Sequence, residues 1–118
     1  MGPEVQLGAL AFERAFLRAQ GANPENCSII AASGDSMQPA IPDGALLVVD
    51  HGQTEIRNGH MMVINVGEDL LVKRIRRRLD GLLDLISDNP AYAPETVGRD
   101  MIDQLRIVGR VVYYCRAP

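Results

Sequence analysis

The chain has 118 residues, which is enough for one domain with a hydrophobic core and too few for two. Apolar residues make up 47% of it and charged residues 23%, a composition that excludes wholesale disorder. The net charge of −3 argues against a domain built to grip nucleic acid, and no apolar run approaches the roughly 18 residues that cross a membrane. We therefore expect a single domain over residues 1–118, with no secretory signal and no membrane segment.

The first predicted element is a helix over residues 7–20. Apolar side chains recur there at helical spacing, and charged side chains fall on the opposite side. Gly21 follows at the position that commonly ends a helix. The segment ANPEN (22–26) then predicts a turn.

After this turn the pattern becomes that of β-strands. Short apolar runs separated by turn signals predict six strands, at 27–33, 45–50, 60–66, 70–78, 82–87 and 105–115. Polar loops are predicted at 51–59 and 88–100. Turns at intervals of about eight to twelve residues are typical of antiparallel β domains. The expected fold class is therefore mainly β, a small antiparallel sandwich or rolled barrel with one N-terminal helix.

The stretch SGDSMQPAIPDG (33–44) places a serine, Ser36, on a glycine-flanked turn between two predicted strands. These residue types often do no more than make turns, but a turn is also where rigid backbone can present a reactive side chain. Gly34 leaves room for a carbonyl group to approach the neighbouring amides. Serine is a poor nucleophile without a base. His51 and His60 have no obvious carboxylate partner, so we expect both to be ordinary loop histidines.

Lys73 is the alternative base, and it is the single lysine among twelve cationic residues. Strand alternation places it with Leu71 and Ile75 on one apolar face, where desolvation would lower the pKa of its amine. The other interpretation is a lysine whose ammonium reaches water. The surrounding run KRIRRR (73–78) lacks the interleaved aromatic residues of a nucleic-acid site, so we expect a solvated strand face or a partner-binding edge.

The two cysteines, Cys27 and Cys115, form no CxxC motif and lie in apolar sequence. We expect reduced, buried residues rather than a zinc site, and neither a metal nor a cofactor is expected.

Several segments together resemble one known family. SGDSMQPAIPDGALLVVD, GHMMVINVGEDLLVKRI, LISDNPAYAP and IVGRVVYYCR are similar to the catalytic domain of the LexA-like serine/lysine autopeptidases. That group includes LexA, phage CI-type repressors and the UmuD subunits of mutagenic polymerases. The segment ALAFERAFLRAQGANPEN resembles the lead-in of the phage-type repressors.

The resemblance implies roles for three residues in self-cleavage. Ser36 would be the nucleophile and Lys73 its general base. The backbone N–H groups of Asp35 and Ser36 would hold the oxyanion, a large contribution in such reactions.

It also implies a substrate cleft lined by Gly34, Met37 and Leu71, although a core role for Met37 is equally open. Some relatives carry a threonine two residues before the lysine, where it can help to orient the base. This chain has Leu71 there, so no hydroxyl group from that position is expected to assist Lys73.

The family's scissile bond is Ala-Gly or Cys-Gly, and residues 1–35 contain neither. We therefore expect the chain to be the C-terminal part of a longer repressor of the bacterial cytoplasm, which binds DNA through a helix-turn-helix domain absent here. The isolated chain is not expected to cleave itself. The implied partners are a second copy, the protein's own cleavage segment and a RecA filament as activator. Segment 105–115 is the candidate dimer element, and it is also compatible with a core strand.

Three other functions stay open at this point. The chain could be a UmuD-like polymerase subunit, which the phage-type lead-in disfavours. It could be a dimerisation module with a vestigial dyad. A type I signal peptidase uses the same chemistry, but the lack of any membrane anchor argues against it.

Overall fold

The computed structural model describes residues 14–116, and the structural statements below refer to that part of the chain. Its helical elements are α1 (Arg14–Ala19), a 3-10 turn (Pro24–Asn26) and α2 (Arg99–Ile102). Its strands are β1 (Cys27–Ala31), β2 (Leu46–Asp50), β3 (Met61–Val66), β4 (Asp69–Arg77), β5 (Leu83–Ile86), β6 (Glu95–Val97) and β7 (Leu105–Cys115). The predicted mainly β class is confirmed.

The predicted helix is observed only in its last part, α1, and its beginning lies outside the described residues. The helix ends where predicted, because Gly21 adopts a φ of 83°, a left-handed conformation that glycine takes without strain. Leu17 is buried and packs with Ala22 and Val48, so α1 is anchored against the sheet. Between residues 14 and 116, no helix is long and apolar enough to cross a membrane.

All six predicted strands are present within a few residues of their predicted bounds, but the predicted loop at 88–100 is partly wrong. It contains β6 and the beginning of α2. β6 is a three-residue edge strand that pairs only with β5, and Val97 is its single apolar residue. So short a segment shows no alternation, and its extended form comes from pairing with its neighbour.

All seven strands form one antiparallel sheet in the order β1-β2-β7-β3-β4-β5-β6. β7 is therefore a central strand, which confirms the core-strand interpretation of 105–115, while its role as a dimer element stays a prediction. β4 pairs with β3 on one side and with β5 on the other. The interpretation of 73–78 as a partner-binding edge is therefore wrong, because that strand is not at an edge.

Apolar side chains cover both faces of the sheet, and β3 shows how. Met61 and Val63 pack into one core cluster with Ile41, whereas Met62 and Ile64 pack into a second cluster with Ile75. Successive residues of a strand point to opposite faces, so this double burial follows from an unbroken apolar run. Each fully buried aliphatic side chain contributes about 1.5–3 kcal/mol to folding.

Three arginines of β4 and of the turn after it form ion pairs at the surface. The ion pairs are Arg74–Asp88, Arg76–Asp84 and Arg78–Asp80, with N–O distances of 2.8, 2.7 and 3.0 Å. The interpretation of this run as a solvated strand face is confirmed.

Cys27 and Cys115 are free thiols, but they are half-buried rather than buried as predicted. Burial raises the pKa of the Cys27 thiol, and the negative charge of Asp50 raises it further. Both effects keep this thiol protonated and unreactive.

Candidate active site

The turn that carries Ser36 connects β1 to β2 and is fixed by its glycine. Gly34 has a φ of 86°, and its N–H group donates to the Asp43 carboxylate at 2.9 Å. A residue with a side chain would be strained in this conformation by about 1–2 kcal/mol. No heavy atom lies within 4 Å of the position that a Cβ atom would take on Gly34, so the space above the turn is open. A substrate backbone has room to approach there.

Two backbone donors beside Ser36 are free. Within the described residues, neither the N–H group of Asp35 nor that of Ser36 has a hydrogen-bond acceptor. Adjacent unpaired N–H groups next to a nucleophile are what an oxyanion site requires. The oxyanion role of these two groups is consistent with this geometry and stays a prediction.

The loop between β5 and β6 holds the serine turn from the outside. Asn89 donates from its backbone to the carbonyl oxygen of Ser36 and from its side chain to that of Asp35, both at 3.0 Å. The hydroxyl group of Tyr92 donates to the Asp35 carboxylate. Two hydrogen bonds to backbone carbonyls and one to the Asp35 side chain therefore hold the turn on which the candidate nucleophile is presented.

Lys73 lies on β4, opposite Met62 of β3. Leu71 and Ile75, the residues two positions away on either side, pack into the same core cluster, so the predicted alternation is confirmed. The Lys73 amine is 2.6 Å from the hydroxyl oxygen of Ser87 and 5.8 Å from the centre of the Tyr92 ring.

Burial lowers the pKa of Lys73 below its ordinary value and outweighs the negative charge of Glu95, which acts in the opposite direction. The predicted direction of this pKa change is confirmed. Since Lys73 is half-buried and has no carboxylate within ion-pair distance among residues 14–116, its charged form is poorly compensated. A larger fraction of the amine is therefore neutral at a given pH than for a surface lysine.

Ser36 and Lys73 line the same cavity, which has a volume of about 200 Å³. Gly34, Met37 and Leu71 line it as well, so the structure brings together the residues predicted for the substrate cleft. Asp35 lies beside the cavity without lining it. No hydrogen bond joins Ser36 to Lys73 in the described part of the chain, where the lysine amine contacts Ser87 instead.

Met37 is a core residue, which confirms one of the two interpretations that the sequence left open, while its role in a substrate cleft stays a prediction. It is only 4% exposed and packs into a core cluster with Ile41 and Val63, yet it also borders the cavity. Its sulfur accepts a weak hydrogen bond from the backbone of Asp88 at 3.4 Å.

The two histidines lie away from this cavity, as predicted. His51 contacts the hydroxyl oxygen of Ser28 at 2.5 Å through Nε2 and the carbonyl oxygen of Val108 at 3.1 Å through Nδ1. Burial and the nearby charge of Arg110 lower the pKa of His60. Neither ring reaches Ser36 or Lys73.

Ser87 is the polar residue of this site that the sequence analysis missed. It follows β5, fourteen positions after Lys73, and the β4–β5 register pairs Arg74 with Ile86. A hairpin centred on Asp80 would have placed Ser87 opposite Lys73. The turn signal LDG was therefore the available clue.

Comparisons with known proteins add an independent finding. Residues 4–112 match the model of the family described as Peptidase S24-like. The chain is similar to the Repressor protein CI of Enterobacteria phage phi80, with 36% identity over 107 residues, which are 89% of this chain and 44% of that protein.

Two further relatives are transcriptional regulators. An uncharacterized HTH-type transcriptional regulator of Haemophilus influenzae is 33% identical over 99 residues, which are 83% of this chain and 41% of that protein. A LexA repressor of Burkholderia cenocepacia is 43% identical over 65 residues, 54% of this chain and 29% of that protein. The chain thus spans less than half the length of each of these relatives. The matches confirm the resemblance found in the sequence.

Proposed function

This chain belongs to the Peptidase S24-like family, and from that premise we propose that it is the self-cleaving C-terminal domain of a transcriptional repressor. The observation that carries the proposal is the cavity shared by Ser36, on a rigid turn, and Lys73, whose amine is made less basic by burial. A hydroxyl group and a neutral amine in one cleft can together cleave an amide.

In the proposed reaction, neutral Lys73 takes the proton of the Ser36 hydroxyl group while the oxygen attacks a backbone carbonyl carbon. The substrate is an Ala-Gly-type bond upstream in the same protein. A bond forms between Ser36 Oγ and this carbon, and the carbonyl electrons move to the oxygen, which the N–H groups of Asp35 and Ser36 would hold.

Collapse of this intermediate breaks the C–N bond, and the Lys73 ammonium gives its proton to the leaving amine. Water then attacks the ester on Ser36, releasing a carboxylate and restoring the hydroxyl group. Catalytic hydrogen bonds often form only when substrate is bound. When substrate binds, the Lys73 amine would therefore keep its contact with Ser87 and also contact the hydroxyl group of Ser36.

The proposed protein is a homodimer of the bacterial cytoplasm that binds its operator through a helix-turn-helix domain outside this chain. Support for dimerisation comes from β7, whose pairing with β3 stops at Arg110. Beyond that point the described residues pair with β7 only through β2, and Tyr113 and Tyr114 are 41% and 42% exposed. Cleavage would separate DNA binding from dimerisation and so end repression.

The proposed activator is a RecA filament formed after DNA damage. It would bind the conformer in which the cleavage segment is docked in the cavity, and so shift a population without supplying new chemistry.

The test is self-cleavage of the protein with its natural upstream segment at alkaline pH, followed by gel electrophoresis and intact-mass measurement. We expect a single upstream cut, and the variants Ser36→Ala and Lys73→Ala should slow it by about a thousandfold or more. Ser28→Ala, which removes a strand hydroxyl group outside the cavity, should cleave like the unmodified protein. The 118-residue chain incubated alone should give no internal fragment.

Unchanged cleavage in Ser36→Ala would contradict the proposal. So would no cleavage at all in the unmodified protein, which would favour a dimerisation module with a vestigial dyad. A short unstructured arm upstream, in place of a DNA-binding domain, would indicate a UmuD-like polymerase subunit instead.

A further inference from the structure

We infer that Ser87 is a positioning residue that orients the Lys73 amine toward Ser36. The inference deepens the proposed peptidase function and rests on it. The Ser87 hydroxyl oxygen lies 2.6 Å from the Lys73 amine.

The backbone fixes this contact. β4 and β5 are antiparallel, with Arg74 opposite Ile86, so Lys73 and Ser87 occupy the next facing positions. Both side chains are half-buried, and facing side chains of an antiparallel pair lie within contact distance. Ser87 directly follows the last paired residue of β5, so the position of its hydroxyl group is set by the end of that strand.

No neighbouring side chain in the described structure can direct the amine in the same way. Leu71 and Ile75, on the same face, are aliphatic, and Met62 across the strand pair is fully buried in the core. The Tyr92 ring attracts a cation from 5.8 Å but does not orient a lone pair.

The chemistry of the amine shows what the hydroxyl group achieves. A neutral amine has two N–H bonds and one lone pair, and only the lone pair can accept the Ser36 proton. When the Ser87 hydroxyl oxygen accepts a hydrogen bond from one N–H group of Lys73, rotation about the Cε–Nζ bond of the lysine is restricted. The lone pair can then be held toward the cavity that Ser36 shares.

The same contact has an opposing effect on the proton. The Ser87 oxygen also accepts a hydrogen bond from the charged ammonium, and a hydrogen bond to the charged form favours that form. Ser87 thus keeps more of the lysine protonated than burial alone would. Its removal should make the base available at lower pH but leave it poorly aimed.

The experiment is the pH–rate profile of self-cleavage for Ser87→Ala in the protein with its upstream segment. We expect the alkaline plateau rate to fall about tenfold to a hundredfold, as for a misplaced reacting group. The midpoint of the profile should move to lower pH. Ser87→Thr, which restores a hydroxyl group, should recover the plateau to within about threefold. Ser28→Ala is the matched control and should reproduce the unmodified profile.

A second measurement uses the 118-residue chain itself. An alkyl phosphonofluoridate is attacked by Ser36 Oγ: the O–P bond forms, the P–F bond breaks, fluoride leaves and the serine proton passes to Lys73. Intact mass follows the labelling, and Ser36→Ala identifies the labelled residue. Ser87→Ala should slow this labelling at alkaline pH, while its urea unfolding midpoint reports separately on folding.

The outcomes separate the two proposals. If the unmodified protein neither cleaves nor labels in a Lys73-dependent manner, the proposed function fails, and the role of Ser87 fails with it. If those reactions occur and Ser87→Ala leaves plateau and midpoint unchanged, or raises the plateau, only the positioning role is overturned. The role would also be overturned if the plateau rate of Ser87→Ala fell only in proportion to a loss of folded protein while the midpoint of its pH–rate profile stayed in place.

Discussion

Two ionisable side chains of the same sheet differ in how their charges are compensated. They are Lys73 in the candidate site and Asp50 at the end of β2. Asp50 is 2% exposed, and its carboxylate accepts hydrogen bonds from the backbones of Asn23 at 3.0 Å and Gly52 at 2.8 Å and from the Gln53 amide at 2.9 Å. Lys73 is less buried, and within residues 14–116 its amine makes a single hydrogen bond.

The pKa of each group is lowered, which favours the charged form of Asp50 but the neutral form of Lys73. Burial alone would raise the pKa of Asp50, but the hydrogen bonds outweigh it, so the charged carboxylate is the favoured form. Burial lowers the pKa of Lys73, so its charged ammonium is the disfavoured form. The number of hydrogen bonds, more than the degree of burial, therefore decides whether a charge serves stability or reactivity.

The largest expected effect on stability comes from Asp50→Ala. The substitution removes three part-buried hydrogen bonds to a charged acceptor, and hydrogen bonds to charged groups contribute about 1.5–3 kcal/mol each before competition from water is counted. We expect a loss of about 3 kcal/mol in the free energy of unfolding, measured by urea denaturation. Self-cleavage per folded molecule should be unchanged. A loss below about 1 kcal/mol would show that the hydrogen bonds to Asp50 contribute little to stability.

The pH dependence of stability is the control for the Asp50→Ala prediction. A carboxylate with a lowered pKa contributes stability that is fully present above the ordinary carboxyl pKa and is lost as pH falls through the folded-state value. The stability difference between the unmodified chain and Asp50→Ala should therefore shrink as pH falls below about 4. A constant difference would mean that packing, not charge, accounts for the effect.

A smaller effect of opposite sign is expected for Lys73→Met. This variant removes a poorly compensated ammonium from an apolar face and should raise the thermal midpoint by roughly 2–4 °C while abolishing cleavage. The cost of the buried charge is greatest below the folded-state pKa and is relieved as pH rises toward the ordinary lysine value. The advantage of Lys73→Met should therefore shrink between neutral and strongly alkaline pH. A variant less stable than the unmodified chain would contradict this reasoning.

The smallest expected effect is that of Tyr92→Phe. It removes the hydrogen bond to Asp35 but keeps the ring beside Lys73. Because both partners are exposed, we expect no change in the urea unfolding midpoint beyond the error of the measurement. The cleavage rate should fall only a few-fold, since Asn89 still holds the serine turn. A loss as large as that for Ser87→Ala would mean that the turn, rather than the lysine, limits the reaction.

Six of the seven strands were predictable because each contains an apolar run set off by nearby turn-forming residues, and these signals are local. The order of the strands was not, because the pairing of β7 with both β2 and β3 depends on residues far apart in sequence. β6 was missed for the related reason that its conformation is imposed by β5.

The residues of the candidate site also fall into those that local sequence signals indicate and those that only the folded structure brings together. A glycine-flanked serine and a lysine on an apolar face are visible in the sequence, and the resemblance to the LexA-like autopeptidases then implied the roles of Ser36 and Lys73. The loop that holds the serine turn through Asn89 and Tyr92 could not be predicted, because its hydrogen bonds cross more than fifty positions of sequence. Ser87 is an intermediate case, because the correct register of the β4–β5 hairpin would have predicted that it faces Lys73.

The central place of β7 has a consequence for the newly made protein. In the sheet, β2 and β3 do not pair with each other, and β7 joins the half that presents Ser36 to the half that presents Lys73. The ribosome delivers that joining strand last. A nascent chain therefore completes the turn that carries Ser36, after β1, and the strand that carries Lys73, β4, before the strand that joins the two halves of the sheet is made.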